Sequence, residues 1–269
     1  MTHAEPTSRR PTLFAPGVSG RDAGEVLALG EDESRHIRAL RLAPGSPVRL
    51  TDGRGALWDA RLMSVGSRSS DCVLDVRSIP ASPLPVELAF GVGHKTHIMW
   101  LLEKATEMGV SRLQPLESER TVSVADAGRS DAFWTKAGRR VVSAMKQSGG
   151  AWLPEIEPLR SLGDYLLRLA ESGDDGPLSI RLDRAGVGLQ SLLTEWSGSR
   201  RIVLLVGPEG GWSSHEASRM DDAGFRVASL GQLMLRFETA AIAGLAVVAQ
   251  HGLKTGGTGD GLTTRETGG

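Results

Sequence analysis

Cysteine is almost absent from this 269-residue chain, and the single Cys72 can neither close an internal disulfide nor complete a zinc site of the multi-cysteine kind. Long apolar runs are missing too. No stretch approaches the roughly 20 residues needed to cross a bilayer, and the opening MTHAEPTSRRPT has no apolar core of a secretory signal. Together these absences predict a cytoplasmic protein without a structural metal or a membrane span. A surplus of charge is also lacking: the formal net charge is −1, so any attraction for phosphate has to come from a local surface. Residues 1–80 carry arginine but no lysine. Within them Arg35, Arg38 and Arg41 recur at helical spacing, which fits either a solvated helix face or a phosphate-binding one. No repeat of 20–50 residues is present.

What is present divides near residue 82. From 10 to 80 the chain reads as short strands between glycine and proline turns, at Ser46–Thr51, Ala56–Ser64 and Cys72–Ser78, with a helical turn near Ser34–Leu40. This predicts a small β-barrel over 1–82. Pro80, Pro83 and Pro85 then form a stiff linker. From 83 to 253 strand and helix patterns alternate, with a strand at Val86–Val92 and a helical face made by Ile98, Leu101, Leu102, Ala105 and Met108. Further helices are expected at Asp131–Gln147, Ser161–Glu171 and Leu189–Trp196, and strands at Leu178–Leu182 and Arg201–Val206. The continuous Ile-Val-Leu-Leu-Val run of the last suits a strand buried on both faces of a parallel sheet, so this part is α/β. The Gly- and Thr-rich residues 254–269 lack periodicity and read as a disordered tail.

Two segments carry the chemistry. In the first, Val206-Gly207-Pro208-Glu209-Gly210-Gly211-Trp212 leaves that buried strand and enters a helix capped by Ser213, with Glu216 three residues later. Open α/β sheets bind ligands at such carboxyl ends, where glycines allow positive φ and close approach to the backbone. The segment is neither a dinucleotide fingerprint nor a phosphate-binding P-loop, and a plain structural turn would use the same residue types. In the second, Leu230-Gly231-Gln232-Leu233-Met234-Leu235-Arg236-Phe237-Glu238-Thr239-Ala240 sets Arg, Glu and Thr at the start of an apolar helix. Those groups either cap the helix and pair with one another or are turned to a ligand. His94 and His97 have no acidic or sulfur partner in register, so they suit a solvated or capping role better than a metal. Asp174-Asp175-Gly176 reads as a plain turn. Trp152 and Trp212, next to the motif segments, are either packing residues or platforms for an acceptor ring.

Gly207-Pro208-Glu209-Gly210-Gly211 with Leu230-Gly231 and Leu235-Arg236-x-Glu238-Thr239-Ala240 resembles the signature of the bacterial ribosomal RNA uridine-N3 methyltransferase family, of the SPOUT superfamily. The likeness continues in family order through His36, Leu40-Arg41, Pro44-Gly45, Asp52-Gly53, Lys104–Val110, Pro115-Leu116, Ser118-Glu119-Arg120, Gln147-Ser148 and Pro154-Glu155-Ile156, covering about residues 10–250. It implies an N-terminal PUA-like β-barrel, a C-terminal α/β domain tied in a trefoil knot, a homodimer, and S-adenosylmethionine as cofactor. By motif it assigns Gly207, Glu209, Gly210 and Gly211 to one wall of the cofactor site. Leu230, Gly231, Leu235, Arg236, Glu238, Thr239 and Ala240 make the other.

If the acceptor is uridine N3, its imide proton must leave. Arg236 is the side chain expected to steady the resulting charge, with Glu209 or Glu238 positioning, and no base stands out. Arg35, Arg38, Arg41, Glu119, Arg120 and Gln147 are the expected acceptor-side residues. The chain departs from the family at Lys146, usually acidic, at Gly150 and Leu233, usually arginine, at Gln232, usually proline, and at Phe237, usually threonine. Two alternatives therefore stand beside ribosomal RNA methylation: a methyltransferase of this fold with a small-molecule acceptor, and a noncatalytic RNA-binding protein.

Overall fold

The computed structural model describes residues 10–255 apart from 79, 81, 122–129, 172, 174, 175 and 197–199. The predicted tail beyond 255 and the Asp174-Asp175 turn thus lie outside the described residues. Two compact units are formed.

The first unit comprises the chain up to Ser82 together with Met145–Leu153. Its five strands are β1 (Thr12–Phe14), β2 (Val26–Leu29), β3 (Pro47–Thr51), β4 (Leu57–Val65) and β5 (Ser70–Ser78), hydrogen-bonded in the order β1-β3-β4-β5-β2. All pairs are antiparallel except β1 with β3. Leu13, Ile37, Val48, Leu50, Trp58, Leu62, Cys72 and Leu74 fill the core. Cys72 is fully buried, and that burial, with Asp71 nearby, pushes its thiol up to about 12. The expected single helical turn is a full helix, α1 (Glu31–Ala39), because Glu31, Asp32 and Glu33 in its first turn and His36 and Arg38 in its last both complement the helix dipole. Residues 145–153 join this unit through main-chain bonds of Leu153 N–H to Gly53 O (2.8 Å) and Gly55 N–H to Ala151 O (2.9 Å).

The second unit is a parallel sheet in the order β12-β10-β11-β6-β7-β8, with β9 also on β7. The strands are β6 (Leu84–Gly91), β7 (Val110–Glu117), β8 (Glu155–Ile156), β9 (Arg160–Ser161), β10 (Leu178–Gly188), β11 (Ile202–Val206) and β12 (Arg226–Ser229). Between them run α2 (Lys95–Glu107), α3 (Asp131–Ser148, whose last turn belongs to the first unit), α4 (Leu162–Ala170), α5 (Leu189–Leu193), α6 (Ser214–Asp222) and α7 (Phe237–Thr255). The last extends two residues into the stretch expected as tail. β11 is buried throughout. Val203 and Leu205 pack with Leu162, Tyr165 and Leu166 from α4, Met220 from α6 and Phe225 from the turn after it, and α7 lies against the same strand and against α2.

Beneath this layer Glu87 of β6 is fully buried, accepting from Tyr165 Oη (2.7 Å), Arg168 (2.8 Å) and Arg201 (3.3 Å). A buried carboxylate so surrounded fixes β6, β11 and α4 at one end of the sheet. The opposite, carboxyl ends of β10, β11 and β12 are left to loops. There β10 slips register between Leu182 and Val187, releasing residues 183–186 from regular pairing.

Candidate functional site

Those loops enclose a cavity of about 800 Å³ in the second unit. One wall is the turn after β11. Gly211 takes φ 66°, and its N–H closes on Pro208 O at 2.8 Å. Gly210 is needed for space rather than for a left-handed φ: a Cβ there would stand 3.1 Å from Arg120 O and 3.2 Å from Arg120 Cβ, and Arg120 Nη1 donates to Gly210 O at 3.2 Å. The turn is anchored by α6, where Ser213 Oγ accepts from Glu216 N–H and Glu216 Oε2 from Ser213 N–H (3.0 and 2.8 Å). Glu216 Oε1 also accepts from Glu119 N–H at 2.9 Å, so one buried carboxylate ties the loop after β7 to the glycine turn.

The other wall is the turn after β12 and the start of α7. Gly207, Glu209, Gly210, Gly211, Leu230, Gly231, Leu235, Arg236, Glu238 and Ala240 all line the cavity, as does Arg120. Thr239 is exposed and is not part of the lining, and Glu119 reaches the region through Glu216 and through His215 (2.8 Å). Hydrogen bonds from Ser213 and His215 hold the Glu119 carboxyl below the ordinary range. Arg35, Arg38, Arg41 and Gln147 belong to the first unit. There Arg35 pairs with Glu31 and Asp32, both at 3.3 Å, Arg38 reaches Ser67 O at 3.4 Å, and Gln147 is exposed on α3.

Some polar groups in this cavity have no protein partner among the described residues. Trp212 Nε1 and Glu238 Oε2 are buried without a hydrogen bond, and the exposed Arg236 guanidinium makes no ion pair among the described residues. Atoms in this state are open to hydrogen bonds from water or from another molecule.

Three charged or titratable lining residues stand outside the expected site: His97, which the sequence suggests is solvated or capping, and Asp183 and Arg184. Asp183 and Arg184 follow the expected strand Leu178–Leu182, so the carboxyl-end rule that singled out the glycine turn applies to them equally. His97 does have an acidic partner, Glu209, which is 112 residues away: His97 Nδ1 lies 2.9 Å from Glu209 Oε1. The same oxygen accepts His94 N–H at 3.1 Å, at the N-terminus of α2. Burial works to raise the Glu209 carboxyl, but hydrogen bonds from His97, its own backbone and His94 outweigh it and leave the group below the ordinary glutamate range.

Two departures from the family pattern have structural tasks. Lys146 pairs with Glu33 at 2.6 Å within the first unit, and Phe237 is buried against Phe90 with ring centroids 6.3 Å apart. Nothing in the structure explains Gly150, where a Cβ would make only ordinary contacts, or the exposed Leu233 and Gln232.

Among the described residues no group of three or more His, Cys, Asp or Glu could hold a metal ion, and no helix is long and apolar enough to cross a membrane.

Comparison with known proteins matches residues 80–249 to an RNA methyltransferase domain and residues 29–75 to an RNA methyltransferase PUA domain. The chain is 31% identical over 212 residues to ribosomal RNA small subunit methyltransferase E of Synechocystis, covering 78% of this chain and 68% of that protein. It is 29% identical over 230 residues to the Mycobacterium tuberculosis protein of the same name, covering 84% and 87%. A crystal structure of ribosomal RNA small subunit methyltransferase E from Neisseria gonorrhoeae bound to S-adenosyl methionine superposes with a TM-score of 0.79 at 27% identity, covering 90% of this chain and 97% of that one. The fold is accordingly the SPOUT-type α/β arrangement preceded by a PUA domain, and the chain belongs to the ribosomal RNA small subunit methyltransferase E family.

Proposed function

We propose that this chain uses S-adenosylmethionine to methylate N3 of a uridine in small-subunit ribosomal RNA. The observation that carries the reading is the cavity where the two glycine turns meet, in which, among the described residues, Trp212 Nε1 and Glu238 Oε2 have no hydrogen bond and the Arg236 guanidinium no ion pair. Its volume lies within the roughly 300–1,000 Å³ typical of small-ligand sites. Backbone groups at Gly207–Gly211 and Leu230–Leu235 suit an adenosine, and the small residues Gly231 and Ala240 keep room for it. When bound, the cofactor supplies a methyl group on a positively charged sulfur. The chain's own task is to place the acceptor in line with that methyl and to exclude water. Arg236 would neutralise charge on the uracil carbonyls as N3 loses its proton, and Glu209 and Glu238 would orient the partners.

Acceptor contacts are assigned to Arg120 at the cavity, Glu119 behind it, and Arg35, Arg38, Arg41 and Gln147 in the PUA unit. The boundary between RNA-gripping and catalytic parts is read at residue 82, the segment from β11 to α7 as the knotted part, and the compartment as the cytoplasm. A homodimer accounts for Leu233 and Met234, apolar side chains 82% and 77% exposed at the cavity rim. Light scattering should then give about twice 28.6 kDa, and an active monomer would remove the dimer from the reading. A small-molecule acceptor is the competing reading, favoured by Leu233 and Gly150 standing where the family pattern has arginine.

Calorimetry tests the cofactor assignment. The wild-type chain should bind S-adenosylmethionine with micromolar affinity, on the order of −8 kcal/mol. Gly210→Val should abolish binding, because its branched side chain would collide with the Arg120 main chain. Binding of nucleotides in place of S-adenosylmethionine would overturn the assignment.

A further inference from the structure

At the start of α2 one wall of the cavity carries a histidine held by a carboxylate. His97 Nδ1 is 2.9 Å from Glu209 Oε1, and that oxygen is fixed in turn by His94 N–H at the positive end of the helix dipole. Gly93 makes this placement possible, since any Cβ there would overlap the Glu209 carboxylate. An ionised carboxylate only accepts, so Nδ1 carries the hydrogen, and in the neutral ring Nε2 is left with the free lone pair. His97 is half-buried and shares the cavity with Arg236.

The charged and titratable groups around the ring are few. On its own element are Lys95 and the capping His94, whose ring centroid is 5.3 Å away. Glu209 holds it from the β11 turn. Across the cavity stand Arg120 from the loop after β7, Asp183 and Arg184 from β10, and Arg236 and Glu238 from the start of α7. The three arginines are already protonated and cannot act as the base, but their charge favours an anionic acceptor. The two remaining carboxylates differ from Glu209 in having no imidazole partner.

We propose that His97 is the general base of the reaction: its Nε2 takes the N3 proton of the acceptor uracil, with Glu209 as the positioning residue that sets the tautomer. This deepens the functional reading above and rests on it. The N3–H bond breaks and leaves its electron pair on nitrogen as the imidate. That pair forms the new bond to the methyl carbon, and the carbon–sulfur bond breaks with its electrons passing to the sulfur, which departs neutral. The proton ends on Nε2 and is lost to water after release. The arrangement uses the logic of a carboxylate-oriented histidine base, and it explains why Glu209, though it lines the cavity, spends its carboxylate on His97 and His94.

The test has a spectroscopic and a kinetic arm, both on the full chain. Nitrogen-15 imidazole spectra without cofactor should show His97 in the Nδ1–H tautomer, and Glu209→Ala should lose that preference; an Nε2–H tautomer in the wild type overturns the proposal. In single-turnover methylation of small-subunit RNA, the wild-type rate should fall as acid protonates Nε2. His97→Ala should be slower by on the order of 10²–10⁴-fold, lose that acid limb, recover in part with added imidazole, and bind S-adenosylmethionine as the wild type does. A His97→Ala enzyme with wild-type rate and pH profile overturns the assignment alone. A wild-type enzyme that places no methyl in RNA overturns the functional reading, and this proposal with it.

Discussion

Arg41 stands in a backbone conformation that costs an L-residue about 1–2 kcal/mol. Its φ is 56°, and it follows the C-cap Leu40 of α1. Arg41 N–H bonds to Arg38 O (3.0 Å) and Leu42 N–H to Ile37 O (3.1 Å), the double closure of a Schellman motif in which glycine is the usual residue. Keeping arginine at a glycine position is understandable if its side chain has a task, and phosphate contact is the task proposed. Arg41→Gly should therefore raise unfolding stability in urea, by about 1 kcal/mol at most once glycine's greater unfolded-state freedom is counted, while weakening RNA binding and lowering its salt dependence by about one unit of log–log slope. A variant that loses stability, or binds RNA unchanged, would contradict this. At this scale the sequence does not show what a residue touches. Lys146 and Phe237 look like altered acceptor residues in the linear pattern, yet Glu33 and Phe90, their partners, lie 113 and 147 positions away.

Among the elements, the ones with a strong periodic or capping signal were legible, and strands interrupted by proline, glycine or charge were not. Ser213 and Glu216 announce the start of α6, and the reciprocal bonds are present. Ser213→Ala should cost about 1 kcal/mol. Glu216→Ala should cost more, about 2 kcal/mol or above, because it strands both Ser213 N–H and Glu119 N–H. It should also weaken cofactor binding by loosening Arg120 against Gly210. Equal losses in the two variants by thermal unfolding would contradict the bridging role of Glu216. That role is invisible in sequence, since Glu119 is 97 residues distant. β7 also escaped the reading. Pro115 in its interior argues against a strand, but β8 pairs with β7 only at Arg112 and Leu113 and β9 only at Leu116 and Glu117, so Pro115 falls in the gap between them. β10 was read only to Leu182, because Asp183, Arg184 and Gly186 look like a loop. The chain does leave regular pairing there and then returns to β12.

For the whole molecule, the order of weak matches across some 240 residues carried more information than any one motif, and it gave the family and its fold. Net charge carried the least: a chain at −1 gives no sign of an RNA partner, because short-range contacts depend on where arginines stand rather than on their sum. The central claim is the acceptor. It is tested most directly by incubating the protein with labelled S-adenosylmethionine and small ribosomal subunits that lack the methyl group, digesting the RNA and identifying the labelled nucleoside. The account predicts label in N3-methyluridine from small-subunit RNA. Label absent from RNA but readily transferred to a small metabolite would contradict it.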